Sequence, residues 1–374
     1  MQEHINDVKE PFAFGICRVD RGRLNPEKVL QATYIIAKRE AKGGIVLQKA
    51  LISAGETPDP AQSEQVFDIS IGFVNEALNL CAADDETAEI SNALLLIAKY
   101  FEPNLFKAVF LFADKAPKSV EAVYLKLYLL SNGQAELRSL DLTGAFGVLP
   151  NVAWVGGTPV ELGYLRANEA ELKVKGEFPK IDFVDKFPRY LQHIIPADDV
   201  RILDGSKVRM GARLAEGTTV MPGASYVNFN AGTTGACMVE GRISSSAVVG
   251  AGSDIGGGAS ILGVLSGTSG KPVSIGRNTL LGANSVTGIP LGDGCVVDAG
   301  IAILEGTKIT IAAKDAEEIA KINPNFNLSG ESFQIVKGID LAGMHGIHFR
   351  QNSQNGQMQA ARSKKDVRLN AELH

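Results

Sequence analysis

The chain has 374 residues, 37 Lys plus Arg against 42 Asp plus Glu, and a formal net charge of −5. That length allows two or three structural units with ample core, and the charge excludes nucleic acid as the main partner. No apolar run reaches the roughly 18 residues of a membrane span, and Met1–Phe12 lacks the apolar segment of a signal peptide. Cys17, Cys81, Cys237 and Cys295 show no CxxC spacing, which predicts free thiols in a reducing cytoplasm.

Residues 1–145 read as an α/β domain. Phe12–Val19 is an expected strand, and Asn25–Lys42 an expected helix with Pro26 in its first turn. Asp85–Phe101 is a second expected helix, with Ile90, Leu94, Leu95 and Ala98 on one face. Lys107–Ala113 is an expected strand. Ser119 then caps a helix that Asn132-Gly133 stops. Residues 146–200 read as a connecting segment, with Lys180–Pro188 as a strand leading onward.

From residue 201 to 312 the chain advances in sixes. Ile202, Val208, Leu214 and Val220 keep that spacing, as do Ile243, Val249, Ile255 and Ile261, then Ile275 and Leu281, then Leu291, Val297, Ile303 and Ile309. A six-residue period fits no α-helix; it marks a parallel β-helix with one aliphatic side chain per hexad pointing inward. About six coils at 4.8 Å give a rod near 30 Å long. The frame slips between Val220 and Ile243, between Ile261 and Ile275, and between Leu281 and Leu291. The first two slips, Asn228–Glu240 and Leu265–Pro272, are expected to be loops leaving one edge, where chemistry concentrates. The hexads stop near Ile311. A helix over Lys314–Lys321, strands over Phe333–Gly338 and Gly346–Arg350, and a last helix over Lys364–Leu373 fill an extension, residues 313–374. Its part from residue 337 onward is expected to be separable from the coils.

Two nucleotide motifs fail. In Val248–Gly256 the third glycine comes one place late and no helix follows, and Ser269-Gly-Lys271 is followed by proline where a P-loop needs Ser or Thr. Histidine is absent between His193 and His345, so the coils carry neither a histidine base nor a three-histidine zinc site. His345 and His348 have no third ligand near them in sequence. Glu240, in Met-Val-Glu-Gly-Arg242, reads either as a solvated corner carboxylate paired with Arg242 or as a reacting group. Gly256-Gly-Gly258 reads either as a relieved corner or as bare backbone beside a long ligand.

Glu216–Val220, Val227–Gly232, Met238–Ser244, Gly256–Ser260, Leu281–Asn284 and Phe349–Ser353 together resemble the tetrahydrodipicolinate N-succinyltransferases of the longer type. The resemblance covers about residues 120–374 and, more loosely, the N-terminal domain. It implies an α/β N-terminal domain, a left-handed parallel β-helix and a small C-terminal extension. It also implies a homotrimer with sites between subunits, acting on small molecules: a succinyl group passes from succinyl-CoA, a cosubstrate and not a resident cofactor, to the amine of ring-opened tetrahydrodipicolinate. Glu240 then matches the catalytic, anhydride-forming glutamate, and Gly263 the oxyanion-stabilising glycine. Coenzyme contacts fall on Arg242, Gly257, Ser260, Ala283, Asp298, Ala299, Gly306, Lys337, Arg350, Gln351, Asn352 and Ser353. Asp298 stands where Glu is common and Gln351 where a second Arg is common, which implies a looser hold on the phosphates. The places matching an axial metal in some relatives read Ser206 and Pro222-Gly-Ala224, so no metal is implied. Arg209, Arg213 and Arg242 are candidates for holding the acceptor's carboxylates.

Overall fold

The computed structural model describes residues 8–39, 41–81, 87–264, 268–364, 367 and 369. The chain forms two compact units that divide between Pro188 and Arg189, inside the segment 146–200.

The first unit holds an antiparallel sheet with its strands in the spatial order Val29–Lys38, Ala13–Arg21, Phe106–Leu111, Glu64–Asp68. Helices Ala41–Ser53, Ile71–Cys81 and Ala88–Lys99 bring Leu47, Phe73, Val74 and Leu94 against Phe14, Ile16 and Phe110 of the sheet in one apolar core. Helix Val120–Ser131 is buried along its whole length. Ser119 caps it, its Oγ accepting from the Ala122 N–H at 3.1 Å. The fully buried Lys126 is satisfied three ways: its Nζ donates to Asp114 Oδ1 and to the carbonyls of Lys115 and Asp141. A second antiparallel sheet joins Thr158–Glu161, Val152–Val155 and Phe183–Asp185 around the buried Trp154, whose indole N–H donates to the Asp185 carbonyl.

The helix expected over Asn25–Lys42 is instead the strand Val29–Lys38. Asn25-Pro26-Glu27-Lys28 is a turn closed by the Lys28 N–H on the Asn25 carbonyl, so Pro26 shapes a hairpin connection rather than a helix start. Leu30, Ala32, Tyr34 and Ile36 are buried at alternate positions, the period of a strand rich in β-branched and aromatic residues.

The second unit is a prism of parallel coils. On one face Ile202, Val220, Val239, Ile255, Leu281 and Val297 stack in register. On the next, Val208, Val227, Ile243, Ile261, Thr287 and Ile303 stack. On the third, Thr233, Val249, Ile275 and Leu291 stack. Two of the slips in the frame are not loops: the first joins a seven-residue step, Val220 to Val227, to a four-residue one, Val239 to Ile243, and the third ends in the four-residue step Thr287 to Leu291. Thr233 and Thr287 occupy interior positions that the aliphatic count passes over, both fully buried. The Thr233 hydroxyl bonds Thr218 Oγ1 at 2.7 Å and accepts from the Ala215 N–H; Thr287 donates to the Ile289 carbonyl. Asn228–Glu240 is thus a regular coil and not a loop. Among the described residues, the step between strands Ser260–Ile261 and Ser274–Ile275 is the longest in the prism.

The extension is the last layer of the rod. Strand Ile347–Gln351 pairs parallel with Val296–Val297, setting the fully buried Phe349 over Val297. Met358–Arg362, Lys308–Ala312 and Phe333–Lys337 continue the same sheet, and helix Ala313–Ile322 packs beside it. Residues from 337 onward are not separable, because removing them would uncover the ladder edge of Val296–Val297. The strand Met358–Arg362 was not anticipated; the helix expected over Lys364–Leu373 falls mostly outside the described residues.

Just ahead of the first coil, burial pushes the His193 imidazole down to about 4. A base whose folded value lies below its unfolded value of 6.5 costs stability where only the unfolded chain is protonated. Stability is therefore expected to fall between about pH 6.5 and pH 4, by on the order of 3 kcal/mol from this group. Melting curves of the wild type and His193→Gln over that range check it: the variant should lose less stability on acidification, and parallel losses would assign the effect elsewhere.

Candidate functional site

The interior positions step by six except for a seven-residue step from Val220 to Val227, the long step from Ile261 to Ile275, and two four-residue corners. Val239 to Ile243 is only four, and the corner is made by Glu240 and Gly241 alone. Both of their N–H groups donate to the Ile255 carbonyl, at 2.8 and 3.0 Å. A Cβ on Gly241 would lie 2.4 Å from the Ala259 carbonyl oxygen, so this corner closes only on glycine. The tight turn fixes the half-buried Glu240 on the edge between the first and second faces. Among the described residues its carboxylate makes no hydrogen bond or ion pair. Two coil carboxylates are occupied, Asp293 by Arg277 at 3.2 Å and Asp298 by His348 at 2.7 Å, whereas the exposed Glu216, like Glu240, makes no side-chain bond among the described residues. The expected pairing of Glu240 with Arg242 is absent, because the Arg242 guanidinium donates to Ser260 Oγ at 2.7 Å instead.

Along the same edge the following coils present Gly256–Gly258, then Ala283 and Asn284, then Asp298–Gly300. Backbone bonds align them: Asn284 N–H to Gly257 O, and Gly300 N–H to Ala283 O, both at 2.9 Å. The Gly257 N–H has no partner among the described residues, and a Cβ there would sit 3.6 Å from Glu240 Oε2. A carboxylate thus stands at one end of a shallow trough of small residues, with room above it for an extended ligand. Arg350 and Gln351 prolong this edge, since the Asp298 N–H bonds the Phe349 carbonyl. Gln351 and Asn352 hold the turn that follows, Gln351 donating to the Gly356 carbonyl and Asn352 Oδ1 accepting from the Gln354 N–H; Ser353 is exposed within it.

The second face carries an outward column of Tyr226, Arg242, Ser260, Val286 and Ala302. Arg209 joins this face, bonded to Asn228 and lying 5.9 Å from the Tyr226 ring centroid; Arg213 pairs with Gly232 on the third face, away from it. The far edge of the second face holds Gly263, against Ser244 of the preceding coil, and Gly306. The Gly263 N–H has no partner among the described residues. Glu240 and Gly263 thus stand at opposite edges of the second face, Glu240 at its entry corner and Gly263 beside Ser244 at its far edge. Lys337 comes to the Gly306 edge because Gly338 N–H bonds the Thr307 carbonyl and Ile339 N–H the Glu305 carbonyl.

Sequence reasoning missed Lys308. It lies directly opposite Lys337 in an antiparallel pair, both exposed and without an ion pair among the described residues. Like charges placed opposite are unfavourable unless an anion joins them. Only the strand pairing reveals this, since 29 residues separate the two in the chain. His345 and His348 do not converge on a metal: His345 Nδ1 accepts from the Asp293 N–H, His348 meets Asp298, and no three His, Cys, Asp or Glu cluster among the described residues.

A coiled rod with an unoccupied carboxylate and unbonded backbone donors on its edges has the form of a hexapeptide-repeat transferase. Residues 272–305 match the family model described as the hexapeptide repeat of succinyl-transferase. Residues 1–147 and 149–189 match the N-terminal and middle models of tetrahydrodipicolinate N-succinyltransferase. The 2,3,4,5-tetrahydropyridine-2,6-dicarboxylate N-succinyltransferase of Nitratiruptor sp. is 61% identical, over 98% of this chain and 95% of that one. Its namesake from Campylobacter jejuni is 56% identical over 100% and 96%. A crystal structure of a putative 2,3,4,5-tetrahydropyridine-2-carboxylate N-succinyltransferase from Campylobacter jejuni superposes with a TM-score of 0.92 at 56% identity, covering 98% and 97% of the two chains. The chain belongs to the tetrahydrodipicolinate N-succinyltransferase family.

Two glycines at the corner should separate folding from function. Gly241→Ala forces a contact with backbone that cannot yield and should lower the melting temperature markedly. Gly257→Ala makes only ordinary contact, with Glu240, and should melt like wild type while weakening ligand binding beside that carboxylate. Thermal melting and coenzyme titration of both variants check this. Equal melting losses would show that the trough glycines serve only the fold.

Proposed function

We propose that the protein transfers the succinyl group of succinyl-CoA to the amine of ring-opened tetrahydrodipicolinate, 2-amino-6-oxopimelate, releasing CoA and N-succinyl-2-amino-6-oxopimelate in lysine and diaminopimelate formation. The observation that carries this reading is identity of 56–61% to named N-succinyltransferases over nearly the whole chain.

Acyl transfer from a thioester requires an aligned carbonyl, a free nucleophile and donors for the developing oxyanion. Glu240 is the reacting carboxylate in this reading, supported by its fixed corner and its lack of a partner. Two routes use it. In one, Glu240 attacks the thioester carbonyl, CoA thiolate leaves, and the amine then opens the mixed anhydride, restoring the carboxylate. In the other, the amine attacks the thioester and Glu240 takes its proton. The Gly263 N–H supplies the oxyanion donor. Coenzyme runs along the trough past Gly257, Ala283 and Ala299, near Arg242, Ser260, Asp298 and Gly306. Its phosphates meet Lys337 and the turn Arg350–Ser353, with Lys308 as an added cation. Arg242 and Arg209 face the acceptor's carboxylates.

The separation of Glu240 from Gly263 across one face supports a homotrimer in which each site takes one edge from each of two neighbouring rods. In this reading the coils wind left-handed, as the family resemblance implies, and the enzyme works in the cytoplasm, in keeping with the state of its cysteines. All four cysteines are buried and outside any disulfide, and burial raises Cys237 to about 12 and Cys295 to about 11.

Thiol release should require both succinyl-CoA and tetrahydrodipicolinate, and acetyl-CoA should be a poor donor; equal use of acetyl-CoA would point to a different acyl specificity. Glu240→Gln should lower kcat by about 10² to 10⁴ with melting and oligomeric state unchanged. Near-normal turnover would return Glu240 to the role of a solvated corner. Mass spectrometry of the quenched enzyme separates the routes, since only the first leaves a succinyl group on Glu240.

A further inference from the structure

The first unit contains a cleft of about 650 Å³, the size of a small-molecule site, formed wholly by its own residues. Its walls converge charged groups of both signs. Lys107, almost fully buried, lies 3.0 Å from Asp68 and 3.9 Å from Glu121; Arg21 also reaches Asp68, at 3.6 Å. Asp68 is therefore doubly paired. Glu121 is not: its side chain is only 8% exposed, and Lys107 stands beyond hydrogen-bond distance. Burial accordingly pushes the Glu121 carboxyl up from its usual range. The cleft is also lined by the exposed Glu27 and Lys28, by Lys186, whose ammonium donates to the Phe146 carbonyl, and by the first turn of helix Val120–Ser131. Glu121 stands in that turn, next to the positive end of the helix dipole.

An under-compensated carboxylate inside, with cations toward the rim, is complementary to a ligand carrying an ammonium and an anionic group together. We propose that this cleft is a second binding site, separate from the β-helix, for a small zwitterionic amino acid. The ammonium donates to Glu121 and the carboxylate lies against Lys28 and Lys186. A simple acid leaves Glu121 unmatched, and a simple amine leaves Lys28 and Lys186 unmatched.

The test is calorimetry and thermal melting of the full chain with glycine, L-glutamate, L-lysine and L-aspartate, against glutarate and cadaverine as single-charge-type controls. At least one amino acid should bind saturably and raise the melting temperature, and both controls should fail. Lys28→Glu, on an exposed side chain, should weaken that binding at least tenfold and leave succinyl transfer unchanged, which separates this cleft from the acceptor site. Glu121→Gln should abolish binding; because that residue is buried, Lys28→Glu keeps the test informative should it misfold. No binding by any amino acid at about 10 mM, equal binding by glutarate, or unchanged affinity in Lys28→Glu would overturn the proposal.

Discussion

The second unit depends on its coil-to-coil ladder. From Arg201 to Ile303 the strands pair in parallel with the coil beneath, and each interior side chain sits over its counterpart one coil away. A ladder of this kind fixes edge residues along the rod without further support, because the backbone of each corner is bonded to the next. The four-residue step at Glu240-Gly241 is where that rigidity bears on chemistry. The missing pair of residues draws the corner inward, both of its N–H groups take one carbonyl, and the carboxylate is left standing over the bare Gly257.

Most of the rod was legible because its interior is written in aliphatic residues at period six. It became illegible where a corner gained or lost residues, as at Val220 to Val227 and Val239 to Ile243, and where threonine took an interior place. Thr233 and Thr287 satisfy their hydroxyls internally, so they pack like valine while reading as loop residues. The strand Val29–Lys38 was misread for a different reason: Asn25-Pro26 is equally good chemistry for a turn and for a helix start, and the alternation of Leu30, Ala32, Tyr34 and Ile36 decides between them. The extension was read as an appendage because nothing in its sequence says that Phe349 continues the column of Val297.

The candidate site was legible through motif resemblance more than through local chemistry. Glu240, Arg242, Gly257 and Ser260 lie on consecutive coils although up to 20 residues separate them in the chain, and only the fold shows that Arg242 binds Ser260 and leaves Glu240 unpaired. Lys308 carried no motif, and its opposition to Lys337 exists only in the strand register. The charged cleft of the first unit was equally invisible, since Arg21, Asp68, Lys107 and Glu121 come from four separate elements.

The central claim is that catalysis joins Glu240 of one rod to Gly263 of its neighbour. Co-expression of differently tagged Glu240→Gln and Gly263→Pro chains, followed by isolation of the mixed trimers, tests it directly. Each variant alone should be nearly inactive, yet every mixed trimer holds one interface with both groups intact, so activity should return to about one third of wild type. Mixed trimers no more active than the two variants, with melting and trimer mass unchanged, would place Glu240 and Gly263 in the same chain's site and contradict the account.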